Sequence, residues 1–396
     1  MRVIKKIIFL IIFLAVPLLS SCWDSVEIEK RAFDTAITID AVEEENDTGK
    51  NPNLRLTAQL VVPSGIQTPS SQEVSNNVAF RNISEVNKSL NYSYQQLSKL
   101  ANRKLSSQHL QVIIISEKVI RQKEVLNRII DVFVRGQNMR RGMLFAVAKD
   151  HAAELLNIAP QHTRLPSYYI STLMENDESG EAVPPLTIGN LQEYLIGDIS
   201  FAAPLLSAYS EQQSILNSGA AVYNSYEKRM VGTLTDEEAK GLYLILGELA
   251  TGALPIPIDE NMMVVRLHEV NSSIKLIQSD LPNLQFQINI SASAELVESY
   301  IDNTPFDINE LEPIIEEEVK NIVEKTIEKS QKELKTDILL FQAHLEGYHF
   351  KLWNKIKNNW EQGEHYFSKS DIVLNVDIKA ASKGSTINVT RGGEKP

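Results

Sequence analysis

Of the 396 residues, one carries a thiol: Cys22 is the sole cysteine, and it follows directly on Leu19-Ser20-Ser21. That order of residue types suits one chemistry. A branched apolar residue and two small ones let the chain lie extended in a protease groove. The sulfur then takes a diacylglyceryl group as a thioether, a peptidase cuts between Ser21 and Cys22, and the freed amine of Cys22 takes an N-acyl chain such as palmitate. One acyl chain gives only marginal membrane binding, whereas two or more give a stable anchor. Cys22 is therefore predicted to be the S-diacylglyceryl and N-acyl site, with signal cleavage at Ser21–Cys22.

The residues that would deliver this cysteine agree. Arg2, Lys5 and Lys6 make a positive start, and an apolar run extends from Ile7 to Leu19. A short positive region before an apolar stretch of this length reads as a secretory signal, here residues 1–21. A membrane-spanning helix needs ~20 apolar residues, so the run is too short to cross. Together with Leu19-Ser20-Ser21-Cys22 this resembles a bacterial lipobox. The alternatives are an uncleaved amphiphilic anchor and a free buried cysteine behind a signal peptide. With no second cysteine there is no disulfide framework, so an exported chain must be held by its core. The net charge is −12, and loss of Arg2, Lys5 and Lys6 takes it to −15. That excludes a nucleic-acid binder, which needs a basic stripe to neutralise phosphates. It also argues against adhesion by charge to anionic lipid heads, so the anchor must be the lipid itself.

Elsewhere the chemistry-bearing residue types form no reactive pattern. There is no phosphate-binding glycine loop, nucleophile elbow or HExxH. His344 and His349 are five apart, the wrong spacing for two metal ligands on one helical face. No catalytic residue, metal or cofactor is expected. One stripe stands out in "LWNKIKNNW": Trp353, Ile356 and Trp360 recur at i, i+3 and i+7, one face of a helix. It is either core packing for the C-terminal part, the preferred reading, or a contact surface for membrane partners, since tryptophan is enriched at interface hot spots.

The elements that must position these residues read as a mixed α/β, or α+β, chain of several domains. Ile37 and Ile39 alternate with Thr38 and Asp40 as in a strand, and Leu54 to Val62 predicts another. Ser84 reads as the N-cap of a helix bearing Val86, Leu90, Tyr94 and Leu97. "LQVIIIS" and "MLFAVAK" predict strands buried on both faces, with a helix carrying Val125, Ile129 and Phe133 between them. Asp150 reads as the start of a third helix. Alternating strand and helix predict an α/β layer over about 54–159. Prolines and "MENDESGEAVPP" mark loops in the middle. The C-terminal part starts with a hairpin around Asn224 to Glu227, then a Thr235/Glu238 capping box before a helix over Ala239 to Ala250. "LQFQINIS" and "DIVLNVDIK" alternate strictly, as half-buried antiparallel strands do. Between them one long helix is predicted over Asn309 to His344, its inner face marked by Leu311, Ile315, Val319, Ile322, Leu334, Ile338 and Phe341. Glu316–Lys320 and Glu328–Lys332 are candidate outer-face pairs. The expected organisation is a leader over 1–21, an N-terminal domain over 22–205 and a C-terminal domain over 214–396, with room for a third sub-domain within about 166–265.

Several blocks carry a family resemblance. "SCWDSVEIEKRAFDTAITID", "KLSSQHLQVIIISEKVI" with "AVAKDHAAELLNIAP", "GAAVYNSYEKRMVGTLTDEEAKGLYLI" and "KTDILLFQAHLEGYHFKLWNKIKNNWEQ" lie in this order along nearly the whole mature chain. Together with the lipobox they resemble the Ger(x)C family, the C-subunit lipoproteins of nutrient germinant receptors in endospore-forming bacteria. The resemblance implies a mixed α/β fold in several domains and a non-enzymatic germination subunit, lipid-anchored on the outer face of the spore inner membrane. It also implies two integral membrane partners, the A- and B-type receptor subunits. The rival reading is a solute-binding lipoprotein feeding a transporter. Such proteins usually show two similar α/β lobes, and no internal repeat is evident here.

Overall fold

The computed structural model describes residues 30–42, 52–66, 78–135, 140–160, 163–175, 184–249, 251–258, 261–299 and 308–381. The leader, Ser21 and Cys22 lie outside the described residues. Two sheets organise the chain. The first has ten strands: β1 (Arg31–Ala41), β2 (Leu54–Val61), β3 (Phe80–Asn87), β4 (Lys104–Ser106), β5 (Val112–Ser116), β6 (Leu144–Ala148), β7 (Leu186–Thr187), β8 (Phe201–Tyr209), β9 (Ser214–Asn224) and β10 (Arg229–Leu234). At its centre β1, β5, β6 and β8 run parallel, flanked on one side by antiparallel β2 and β3 and on the other by antiparallel β9 and β10. β5 and β6 are buried at every position, which is why their sequences read as unbroken apolar runs. Helices α1 (Leu90–Ala101), α2 (Val125–Arg135), α3 (Pro166–Met174) and α4 (Ile188–Ile196) follow the strands. The fold is mixed α/β in more than one domain.

The second sheet pairs β11 (Thr251–Ile258), β12 (Asn261–Asp280), β13 (Asn283–Ser299) and β14 (Asp371–Ala381) in that order. The first two pairings are antiparallel. The antiparallel pairing expected of "LQFQINIS" and "DIVLNVDIK" is corrected: β13–β14 is parallel, because the helices between them form a crossover that brings the chain back in the same direction. Leu284, Phe286, Ile288 and Ile290 face the core beneath α5 (Asp236–Leu246), α6 (Ile308–Glu328), α7 (Phe341–Tyr348) and α8 (Phe350–Ile356). Thr235 opens α5 with a complete capping box, its hydroxyl accepting from Glu238 N–H and the Glu238 carboxylate accepting from Thr235 N–H. α5 and α6 approach closely at Gly241, where a Cβ would run into Thr326 Oγ1 and stand 2.8 Å from the Ile322 carbonyl.

Strand β9 belongs to both halves. Ala221 and Tyr223 pack into the core of the first sheet, while Ala220 and Val222 pack into that of the second. A period of two thus splits one strand between two cores. The expected boundary at 205–214 lies at the hairpin joining β8 and β9, and by hydrogen bonding the first sheet runs on to Leu234. Residues 166–265 distribute their apolar side chains over three clusters: Ile170 and Met174 in one, Leu191 and Phe201 in a second, Leu242 and Val265 in a third.

Three expected elements are corrected. Ser84 caps no helix: residues 80–87 are β3, paired with β2, and α1 starts at Leu90 with Ser89 Oγ accepting from Tyr92 N–H at 3.3 Å. The cross-strand pairing of β3 outweighs the apolar spacing that had included Val86. Asp150 does not supply the carboxylate for the helix that follows. Buried Asp40, at the end of β1, accepts from Ala152 N–H at 2.7 Å and Ala153 N–H at 3.0 Å. The long helix over 309–344 is broken. α6 ends in a wider π turn over 329–334, Lys335 and Leu340 take left-handed backbone, and α7 starts anew at Phe341. Of the two outer-face pairs, Glu328–Lys332 forms at 2.8 Å, but Glu316 turns inward and accepts from Ile378 N–H on the edge of β14.

Candidate functional site

The break after α6 creates the most densely connected polar site in the described structure. Lys335 turns the chain so that Asp337 sits buried ahead of α7. Its carboxylate accepts from Phe341 N–H at 3.2 Å and Gln342 N–H at 2.7 Å, capping the helix, and from the Trp360 indole N–H at 2.9 Å. Asp337 N–H in turn donates to Glu361 Oε1 at 2.5 Å, and Ser200 Oγ donates to Glu361 Oε2 at 2.8 Å. Ser200 lies just before β8. From the end of β9, Ser225 N–H donates to Ser200 Oγ, and Asn224 Nδ2 donates to Thr336 Oγ1 at 2.8 Å. Gln342 Nε2 reaches the Gly197 carbonyl after α4 at 3.1 Å. The strand ends of the first sheet are thus stitched to the helical layer of the second.

Electrostatics at this junction are unusual. Burial pushes the Asp337 carboxyl up to about 6, against the pull of its N–H donors. Burial, reinforced by the negative charge of Asp337, lifts Glu361 to about 7. Beside the pair opens a cleft of about 570 Å³ whose walls include Asp198, Tyr226, Lys228, Gln342, Trp353 and Lys357. Every oxygen of the two carboxylates already has a donor from the chain, so their first role is to hold the two halves in one geometry. Among the described residues no group of three or more His, Cys, Asp and Glu is placed to hold a metal ion.

Of the residues singled out by sequence, Trp353, Ile356 and Trp360 are brought together and buried, at 7%, 0% and 2% exposure. Trp353 and Ile356 lie on α8. Trp360 lies past its end, beyond a 3-10 turn over 357–359, so the stripe is not one continuous helix. The Trp360 ring meets Trp353 edge-on at 5.8 Å and lies 6.2 Å from Phe286. Sequence reasoning passed over Asp337, Glu361 and Ser200, because they are individually ordinary and far apart along the chain. The available signal was that Asp337 and Glu361 both fall within "KTDILLFQAHLEGYHFKLWNKIKNNWEQ".

A second buried cluster ties α1 to β1. The Tyr94 hydroxyl lies 3.2 Å from both Asp34 oxygens, and Ser107 Oγ donates to Asp34 Oδ2 at 2.8 Å. Burial raises the Asp34 carboxyl. It too is fully engaged by its neighbours.

Comparison with known proteins places this architecture. Residues 24–208 match the family described as Spore germination protein N-terminal domain, and residues 218–384 match Spore germination B3/GerAC like, C-terminal. Spore germination protein YndF of Bacillus subtilis (strain 168) is 29% identical over 395 residues, covering 95% of this chain and 96% of the relative. Spore germination protein B3 of the same organism is 24% identical over 385 residues, covering 95% and 98%. The crystal structure of the GerBC protein shares the fold, with a TM-score of 0.59 and 20% identity over 84% of this chain and 95% of that one. With two family models in the same order across most of its length, the chain belongs to the spore germination protein family defined by these N- and C-terminal domains.

Proposed function

We propose that this protein is the lipid-anchored, non-enzymatic C-type subunit of a nutrient germinant receptor. In this reading Cys22 carries the diacylglyceryl and N-acyl chains. The folded part sits on the outer face of the spore inner membrane and assembles with two integral membrane subunits. The observation that carries it is the pair of family matches spanning residues 24–208 and 218–384 behind a lipobox-like leader. Among the described residues no helix is long and apolar enough to cross a membrane. The junction supports a structural role, since its carboxylates are engaged by protein donors rather than aimed at a substrate.

The test is genetic. Deletion of the gene alone is expected to abolish the germination response to at least one nutrient in a screen of amino acids, sugars and nucleosides. Cys22→Ala is expected to reproduce the deletion. Wild-type germination of the deletion strain across the screen, with related receptors removed, would refute the reading.

A further inference from the structure

The segment from Gly347 to Trp360 contains no acidic residue and three lysines, in a chain with 51 acidic and 39 basic side chains. It spans the break between α7 and α8 and the turn that follows. Trp353 and Ile356 bury the inner face of α8, which fixes which side chains face water. Those are Lys351, Asn354, Lys355, Lys357 and Asn358, all exposed. Two aromatics stand at its leading corner: Tyr348 is 79% exposed, the most of any large apolar side chain described, and Phe350 is 63% exposed.

Lys357 also lines the cleft that holds Asp198, Glu346 and Glu361, whereas Lys351 and Lys355 are not part of its lining. Among the described residues none of the three lysines is in an ion pair, and Lys351 and Lys355 are like charges at i,i+4, a spacing that costs a helix stability. The flanking carboxylates are hydrogen-bonded to other groups, and one of them is ion-paired. Glu346 accepts from Gln342 Nε2, Glu361 from Ser200 and Asp337, and Glu364 pairs with Lys369 at 3.3 Å. Three unpaired ammonium groups on flexible stems beside exposed aromatic rings match a surface of anionic headgroups, with rings seated at the interface. They match an acidic protein groove less well, because both rings are more than half exposed and fill no pocket wall among the described cavities. The rest of the chain is acidic and is repelled by such a surface, so this face sets orientation rather than adhesion.

We propose that the Tyr348–Asn358 face rests on the bilayer and takes anionic lipid headgroups through Lys351, Lys355 and Lys357. It rests on the reading of the protein as lipid-anchored, and adds to that anchor a fixed orientation of the folded part.

The test uses the full chain produced with its leader and carrying Asn354→Cys, labelled with a polarity-sensitive dye that peptide mass spectrometry assigns to position 354. The chain is mixed with vesicles of phosphatidylcholine alone or with phosphatidylglycerol, each containing a lipid quencher, and floated. Flotation reports the anchor and quenching reports the face. Flotation with both vesicles, and quenching only with phosphatidylglycerol, is expected. That quenching should be lost at high salt and in the K351E/K355E/K357E variant, with flotation kept. Flotation only with phosphatidylglycerol, abolished by the charge reversal, would uphold the face and reject the anchor. Flotation without quenching would overturn the proposal and leave the anchor standing. Absence of both would overturn both. Quenching equal in the two vesicle types, or shielding of the dye only in native membranes containing other proteins, would also overturn it, the latter making this face a protein contact.

Discussion

The two sheets bury apolar surface in different ways. In the first, the central parallel strands are covered on both faces: Ile113, Ile115, Phe145 and Val147 enter one cluster, while Val112, Ile114, Leu144 and Ala146 enter another. In the second, one face carries Leu284, Phe286, Ile288 and Ile290 against helices. The other face presents a polar ladder in which Asn289 accepts from Gln287 and Asn375. A sheet with two covered faces is a rigid interior, whereas a sheet with one open face has surface to spare. What joins them is a shared strand and a buried carboxylate pair, so the molecule is two cores with one seam.

The largest effect is expected from Trp360→Ala. The ring fills the second core against Trp353, Phe286 and Phe367 and donates to Asp337. Its removal leaves a cavity and a buried carboxylate short of one donor, at a cost of ~3–5 kcal/mol. Denaturant unfolding of the purified chain measures it. If the seam couples the cores, both unfold in one transition at a lower midpoint. Two separated transitions would show that the sheets are independent.

A smaller effect concerns pH. Glu361 is lifted from its ordinary 4.5 to about 7 by burial and by the charge of Asp337. The folded state therefore holds a proton that the unfolded chain has released. Its stability contribution is complete below about 4.5 and is lost as pH rises through about 7. The change over that window should be ~2 kcal/mol, after allowance for partial solvent access. Glu361→Gln keeps an oxygen for the Asp337 N–H and should reduce the dependence to the part that buried Asp337 contributes as pH rises through about 6, leaving the variant at least as stable as the parent at pH ~8, where Glu361 is otherwise charged. Melting temperatures across the window decide it. An unaltered slope in the variant would place the titration elsewhere.

How much of this was legible depended on the range of the interactions. "LQVIIIS" and "LQFQINIS" declared their strands because burial on two faces or one writes directly into the residue pattern. The Thr235 capping box was legible because both its partners lie within one turn. The long helix was misread because its apolar positions keep helical spacing across Lys335 to Leu340. What breaks it there is Asp337, held by Trp360 and Glu361 from more than twenty positions away. The same holds for the helix after Asp150, whose capping carboxylate comes from Asp40. Ser200 and Asn224 gave no local sign, since their roles exist only once β8 and β9 meet the second half.

The smallest effect is expected from Thr235→Ala, which removes the cap from α5, the helix that lies between β9 and α6. Loss of one N-cap costs ~1 kcal/mol. Equilibrium unfolding should show a midpoint shift with unchanged slope. A loss comparable to that of Trp360→Ala would mean that α5, rather than the carboxylate pair, holds the seam.

The most direct measurement for the account as a whole is affinity purification of the full chain from mildly solubilised spore membranes, followed by mass spectrometry of the chain and its companions. The account predicts an acylated Cys22 at the mature N-terminus, and two polytopic membrane proteins recovered in constant proportion to the chain. Recovery with a permease and an ATPase, or of the chain alone with Cys22 unmodified, would contradict it.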